Sequence, residues 1–164
     1  KPQIRLLGSG AILKESIAAQ EALKKYSINA EVWSATSFNL LRKDGMEAER
    51  YNQLNPHKEK QKTHIDKCFG DHDIPVIATT DYMRVYADQI RPYIHSSYAV
   101  LGTDGFGRSD SREELREFFE INTNHIVRLT AFTLFNESKI SKELLDDIYK
   151  DIKVDPAKPN PWEV

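Results

Sequence analysis

The chain has 164 residues and a mass of 18.9 kDa, a length that suits one domain with a full core. Apolar residues make up 40% and charged residues 29%, and seven Tyr, seven Phe and two Trp supply core material, which excludes a disordered chain. Lys plus Arg is 23 against 25 Asp plus Glu; the net charge of −2 argues against a general nucleic-acid or anionic-membrane surface, and no apolar run approaches the ~20 residues that span a bilayer.

One cysteine, Cys68, excludes an internal disulfide framework and a Cys-rich zinc site, and fits a reducing, cytoplasmic compartment. The chain opens Lys1-Pro2-Gln3, without an initiator Met or a signal-peptide pattern, and strand-like sequence begins at Ile4. We expect a single domain over residues 1–164, cut from a longer chain, with an extended tail over 152–164.

Ile4–Leu7 reads as a first strand, followed by the turn Gly8-Ser9-Gly10. Ala11–Tyr26 reads as a helix with Leu13, Ile17, Ala18 and Leu23 inward and Lys14, Glu15, Glu21, Lys24 and Lys25 outward. A second strand is expected at Ala30–Ala35, where Val32 and Trp33 suit it. Ser37 caps a short helix Phe38–Lys43 that stops at Asp44-Gly45; residues 46–64, polar and containing Asn55-Pro56, read as a helix and then a connector. The third strand is Ile74–Thr79, entered through Pro75. Asp81 is the expected N-cap of a helix from Tyr82 to Ile90, ended near Pro92. Tyr98–Leu101 is a fourth strand, and helices follow at Arg112–Phe119, Thr123–Asn136 and Ser141–Asp151. Strands alternating with helices imply an α/β layer fold, its sheet mostly parallel or mixed, with helices on both faces and right-handed crossovers.

The chain carries few motifs of recognisable chemistry. Gly8-Ser9-Gly10 lacks the third small residue of a dinucleotide fingerprint, since Leu13 stands there, and reads as a tight strand-to-helix turn. Of His57, His64, His72, His95 and His125, none pairs with another at metal-ligand spacing. His64 and Cys68 lie four apart, within reach on one helix face, yet two ligands make no metal site, and a buried apolar thiol is the expected state of Cys68. Asp71-Asp73 and Asp146-Asp147 read as solvated charge, and no nucleophile elbow or P-loop is present.

The segment from Gly102 to Ser111 is the most informative. Its three glycines permit positive φ and expose N–H groups, and Asp110 or Ser111 can cap the next helix, with Glu113 and Glu114 at capping-box distance. Arg108 offers a guanidinium suited to a carboxylate or phosphate on a ligand or a neighbouring domain, and Asp104 can answer a cation. The candidate interface or anion-contact residues are therefore Asp104, Phe106, Arg108, Ser109, Asp110 and Ser111. A capped turn with a solvated Arg fits the same residues.

The string Leu101 to Arg112 (LGTDGFGRSDSR), with Ile4–Leu13, Trp33–Phe38, Thr79–Tyr86 and Tyr51–Pro56 in order around it, resembles the C-terminal domain of the homodimeric, bacterial type of pyruvate dehydrogenase. The resemblance runs from Ile4 to Pro161 and is weakest over His57–Asp73. It implies a transketolase-like layout in which two domains precede this one and hold thiamine diphosphate and magnesium between them. No catalytic, cofactor or metal residue then falls on this segment, and no cofactor is expected on it. The implied enzyme decarboxylates pyruvate and reductively acetylates lipoyl groups. Its implied partners are the rest of its own chain, a second subunit of a homodimer, and the dihydrolipoyl acetyltransferase component, with no nucleic acid and no membrane. Exposed apolar surface is expected where those partners sit, and the Gly102–Ser111 loop is expected to follow a central strand. A stand-alone anion-binding or regulatory α/β module is the alternative; a nucleotide-binding oxidoreductase domain is disfavoured by Leu13.

Overall fold

A computed structural model describes residues 1–70 and 73–163; Asp71 and His72, named above, lie outside them. Strands β1 (Gln3–Gly8), β2 (Asn29–Ser34), β3 (Val76–Thr79) and β4 (Tyr98–Leu101) form one sheet in the order β2-β1-β3-β4. Every pairing is parallel, and no antiparallel edge strand occurs among the described residues. Alternate residues point to opposite faces. Ile4, Leu6, Ile77 and Leu101 pack with Leu23, Ile126, Leu134 and Ile148, which come from α1 (Leu13–Lys24), α6 (Thr123–Asn136) and α7 (Lys142–Asp151). Leu7, Val76, Ala78 and Val100 pack on the other face with Phe38 of α2 (Phe38–Leu54), Ile65 of α3 (His64–Phe69) and Ala87 of α4 (Arg84–Asp88). The three-layer α/β architecture is as expected, because β1 and β3, covered on both sides, need apolar residues at consecutive positions.

The departures have specific causes. The first helix begins as a 3-10 turn at Gly10–Ile12, so the face turned inward carries Ile12, Ser16, Ala19 and Leu23, while Ile17 and Ala18 are exposed. Glu15, expected in solvent, is half-buried; its carboxylate accepts from Arg116 Nη1 at 2.8 Å and from the Thr123 N–H and hydroxyl at 2.9 and 2.7 Å. The helix expected to stop at Lys43 runs on through Gly45 to Leu54. Gly45 is not a break but a contact point, since a Cβ there would lie 2.5 Å from the Tyr93 ring. Thr63 and Asp66 form a capping box that starts α3 inside the expected connector. Burial pulls the Asp66 carboxyl up, but the Thr63 donors and His95 outweigh it and hold the group below the usual range. Arg5, 3% exposed within β1, lies 4.5 Å above the Phe69 ring; it donates to Glu31 on β2 at 3.0 Å and to the Phe69 carbonyl at 2.9 Å, pinning α3 to the sheet. The third strand begins at Val76, not Ile74. After α7 the chain makes turns but no helix through Glu163.

Candidate functional site

Because all four strands are parallel, Gly8, Ser34, Thr79 and Leu101 end at one edge of the sheet, and the loops after them form one surface. Gly8 is spent on packing: a Cβ there would lie 2.6 Å from Leu13 Cα and 2.9 Å from Ser16 Oγ. The Gly8-Ser9-Gly10 segment is thus the tight strand-to-helix turn, with the Ser9 N–H bonded to the Thr79 carbonyl at 3.1 Å.

The Gly102–Ser111 loop follows β4, an edge strand rather than a central one, because the chain fills the β2 side of β1 first and then steps outward through β3. Its first half is locked to the start of α4. A Cβ on Gly102 would lie 2.8 Å from both Arg84 N and Tyr82 O. Thr103 donates from its N–H to Tyr82 O and from its hydroxyl to Asp81 O, each at 2.8 Å. Asp104 Oδ1 accepts from the Arg84 N–H at 3.0 Å. Asp104 therefore supplies the oxygen at the start of α4 expected from Asp81; α4 is also shorter than the Tyr82–Ile90 helix foreseen, because a 3-10 turn at Arg91–Tyr93 follows it. Gly105 takes φ +110° and faces the C-terminal tail, where a Cβ would lie 3.0 Å from the Pro161 carbonyl oxygen.

The second half faces solvent. Arg108, exposed, lies over the Phe118 ring of α5 (Arg112–Phe118) at 4.1 Å rather than standing free. Asp110 Oδ1 accepts from the Ser111 N–H at 2.7 Å, and the Ser111 hydroxyl caps α5 by accepting from the Glu114 N–H at 3.3 Å. Ser109 is exposed and Phe106 is 83% exposed. A pocket of 270 Å³ lies between this loop and the tail, with Arg84, Asp104 and Trp162 among its walls.

Sequence reasoning missed the apolar company of Phe106. Leu40, Tyr82, Met83 and Val85 are each 61–66% exposed on loops and helix starts at this same edge. The signal was present in the run Tyr82-Met83-Arg84-Val85-Tyr86: only its last three residues enter the five-residue α4, and one short helix cannot cover the whole run. The remaining candidates do not converge here. Cys68 is exposed, not buried, with Sγ 3.4 Å from His64 Nε2 on α3; His95 pairs with Asp66 and His125 with Glu117. Among the described residues no three His, Cys, Asp or Glu side chains gather as metal ligands. Among them, too, no helix is long and apolar enough to cross a membrane.

The model of the transketolase-like TK C-terminal domain matches residues 1–122. The chain is 44% identical over 162 residues to the pyruvate dehydrogenase E1 component of Pseudomonas aeruginosa, 42% over 164 to that of Cupriavidus necator and 40% over 163 to that of Escherichia coli K12. These alignments cover 98–99% of this chain and 18% of each relative, so the chain spans about a fifth of their length. In architecture it is similar to a transketolase mutant from Pichia stipitis, with a TM-score of 0.56 at 19% identity, over 85% of this chain and 17% of that one.

Proposed function

The chain belongs to the transketolase-like C-terminal domain family, and from that premise we propose that it is the C-terminal assembly domain of a pyruvate dehydrogenase E1 component. The carrying observation is the 40–44% identity over nearly the whole chain to E1 components of three bacteria. The longer protein decarboxylates pyruvate in the cytoplasm, as a homodimer, and passes the acetyl unit to lipoyl groups of the dihydrolipoyl acetyltransferase component. Thiamine diphosphate with magnesium supplies the decarboxylation chemistry there and is held by preceding domains.

This domain's part is to present the carboxyl edge of its sheet to those domains or to the second subunit. Phe106, Tyr82, Met83, Val85 and Leu40 form its apolar contact, and exposed apolar residues gathered at one edge are the usual mark of an interface. Arg108 adds a charge held off the loop by the Phe118 ring. The test compares the 164-residue chain with the longer protein. The longer protein should release carbon dioxide from pyruvate with thiamine diphosphate and magnesium, and the 164-residue chain should neither do so nor bind thiamine diphosphate in a calorimetric titration. Micromolar one-to-one binding by the 164-residue chain would refute the reading.

A further inference from the structure

The segment after α7 is tied back across the domain by one side chain. Lys158 Nζ donates to the Glu117 carbonyl at 2.6 Å and to Glu117 Oε1 at 3.1 Å, and lies 3.8 Å from Glu120 Oε1. This places Pro161 and Trp162 against Gly105, so the tail covers one flank of the Gly102–Ser111 loop. Behind the knot sits His125 on α6, 8% exposed. Its Nε2 is 3.2 Å from Glu117 Oε1, the oxygen that Lys158 also uses, and its Nδ1 is buried without a partner.

That geometry sets the protonation state. With Nε2–H donated to Glu117, a neutral ring leaves only a lone pair at Nδ1, which the site tolerates. A second proton would put an N–H at Nδ1, buried and without an acceptor. The charges facing the ring are Glu117 and Glu120 from the end of α5, Arg128 one turn along α6, and Lys153, Asp155 and Lys158 from the tail. Arg128 is bound to Glu120 at 2.7 Å, so part of the acidic charge is already neutralised.

We infer that His125 is a pH-sensitive latch for the C-terminal tail: its protonation releases the Lys158 clasp and frees the Pro161–Trp162 strap from the Gly102–Ser111 loop. Burial, then Arg128, lower the ring's affinity for a proton below the ordinary 6.5, against the pull of Glu117. Release of the tail removes the Lys158 charge and the cover given by Lys153, Val154 and Asp155, so the released form binds the proton more readily. Acid therefore favours release, beginning as pH falls through 6.5, while the clasp is fully closed above it. Glu117 and Glu120 hold the clasp until lower pH. Burial raises both carboxyls, but hydrogen bonds from Lys158 to Glu117 and from Arg128 to Glu120 outweigh it and keep them ionised below the usual 4.5.

The chain has two tryptophans, so indole N–H signals in a ¹H–¹⁵N spectrum can be assigned to Trp33 and Trp162. The assay follows Trp162 and the Gly105 amide from pH 8 to pH 5, together with the His125 ring nitrogens. The expected result is a joint move of Trp162 and Gly105 to free-tail positions, with the midpoint of His125 itself and below 6.5, while Trp33 stays fixed. His125→Gln should abolish that step, and Lys158→Met should show the free-tail positions already at pH 7.5. Trp162 and Gly105 signals that do not change between pH 8 and 5, or that change with a midpoint different from that of His125, overturn the latch even if neither variant folds.

Discussion

Gly102→Ala probes the joint between the candidate loop and the sheet edge. The new methyl would stand 2.8 Å from Arg84 N and Tyr82 O and 2.9 Å from Arg84 Cα. All three atoms are backbone, so no side chain can swing away; the loop and the start of α4 must separate. Separation puts at risk the two Thr103 hydrogen bonds at 2.8 Å and the Asp104 bond at 3.0 Å. At ~1 kcal/mol for each bond, or as overpacking of 1–3 kcal/mol, the cost is about 3 kcal/mol. In a domain of this size that lowers the melting temperature by about 6–12 °C. Gly107→Ala is the internal control, because its Cβ would meet nothing within 4 Å and its backbone needs no left-handed conformation. It should stay within about 0.5 kcal/mol of the parent. Urea unfolding of both variants at pH 7.5 decides the matter. Equal midpoints for Gly102→Ala and Gly107→Ala would refute the claim that this loop is rigidly joined to α4.

Arg108→Ala removes the stack on Phe118 and should cost the 164-residue chain only about 0.5–1 kcal/mol in urea unfolding, yet weaken the subunit association proposed for the longer protein measurably in sedimentation. Ser111→Ala should instead cost about 1 kcal/mol in both settings, since it removes the α5 cap. Glu15→Ala strips partners from Arg116 and the Thr123 N–H and should cost about 2–3 kcal/mol, read as a lower urea midpoint. Stability should be flat above pH 6.5 and decline below it as the unfolded chain protonates His125 before the folded one does; a further decline follows below pH 4.5 as Glu117 and Glu120 are neutralised. Denaturation midpoints at pH 7.5, 5.5 and 4.0 check both steps.

The first and last strands were legible because the runs at residues 4–7 and 98–101 are short, apolar and followed by glycine turns. The caps at Ser37 and Ser111 were legible for the same local reason: a hydroxyl three residues before a free N–H is a neighbour in sequence. What escaped was set by distant partners. Gly45 looked like a helix stop until the Tyr93 ring, from the turn after α4, explained its missing Cβ. Glu15 looked solvated because Arg116 and Thr123 lie more than 100 residues away. Asp104 was named for its charge, but its position makes it a bracket for α4, and Phe106 has companions from two other segments. A site built from the loops of parallel strands is dispersed in sequence by construction, so only its longest loop stood out.

The central claim is that the carboxyl edge of the sheet is a covered interface in the longer protein. Hydroxyl-radical footprinting of Met83, Tyr82 and Phe106 measures that directly, side chain by side chain, in the 164-residue chain and in the longer protein at equal concentration. The account predicts rapid oxidation of all three in the 164-residue chain, where they are 61–83% exposed, and at least tenfold protection in the longer protein. Equal oxidation rates in the two proteins would contradict it.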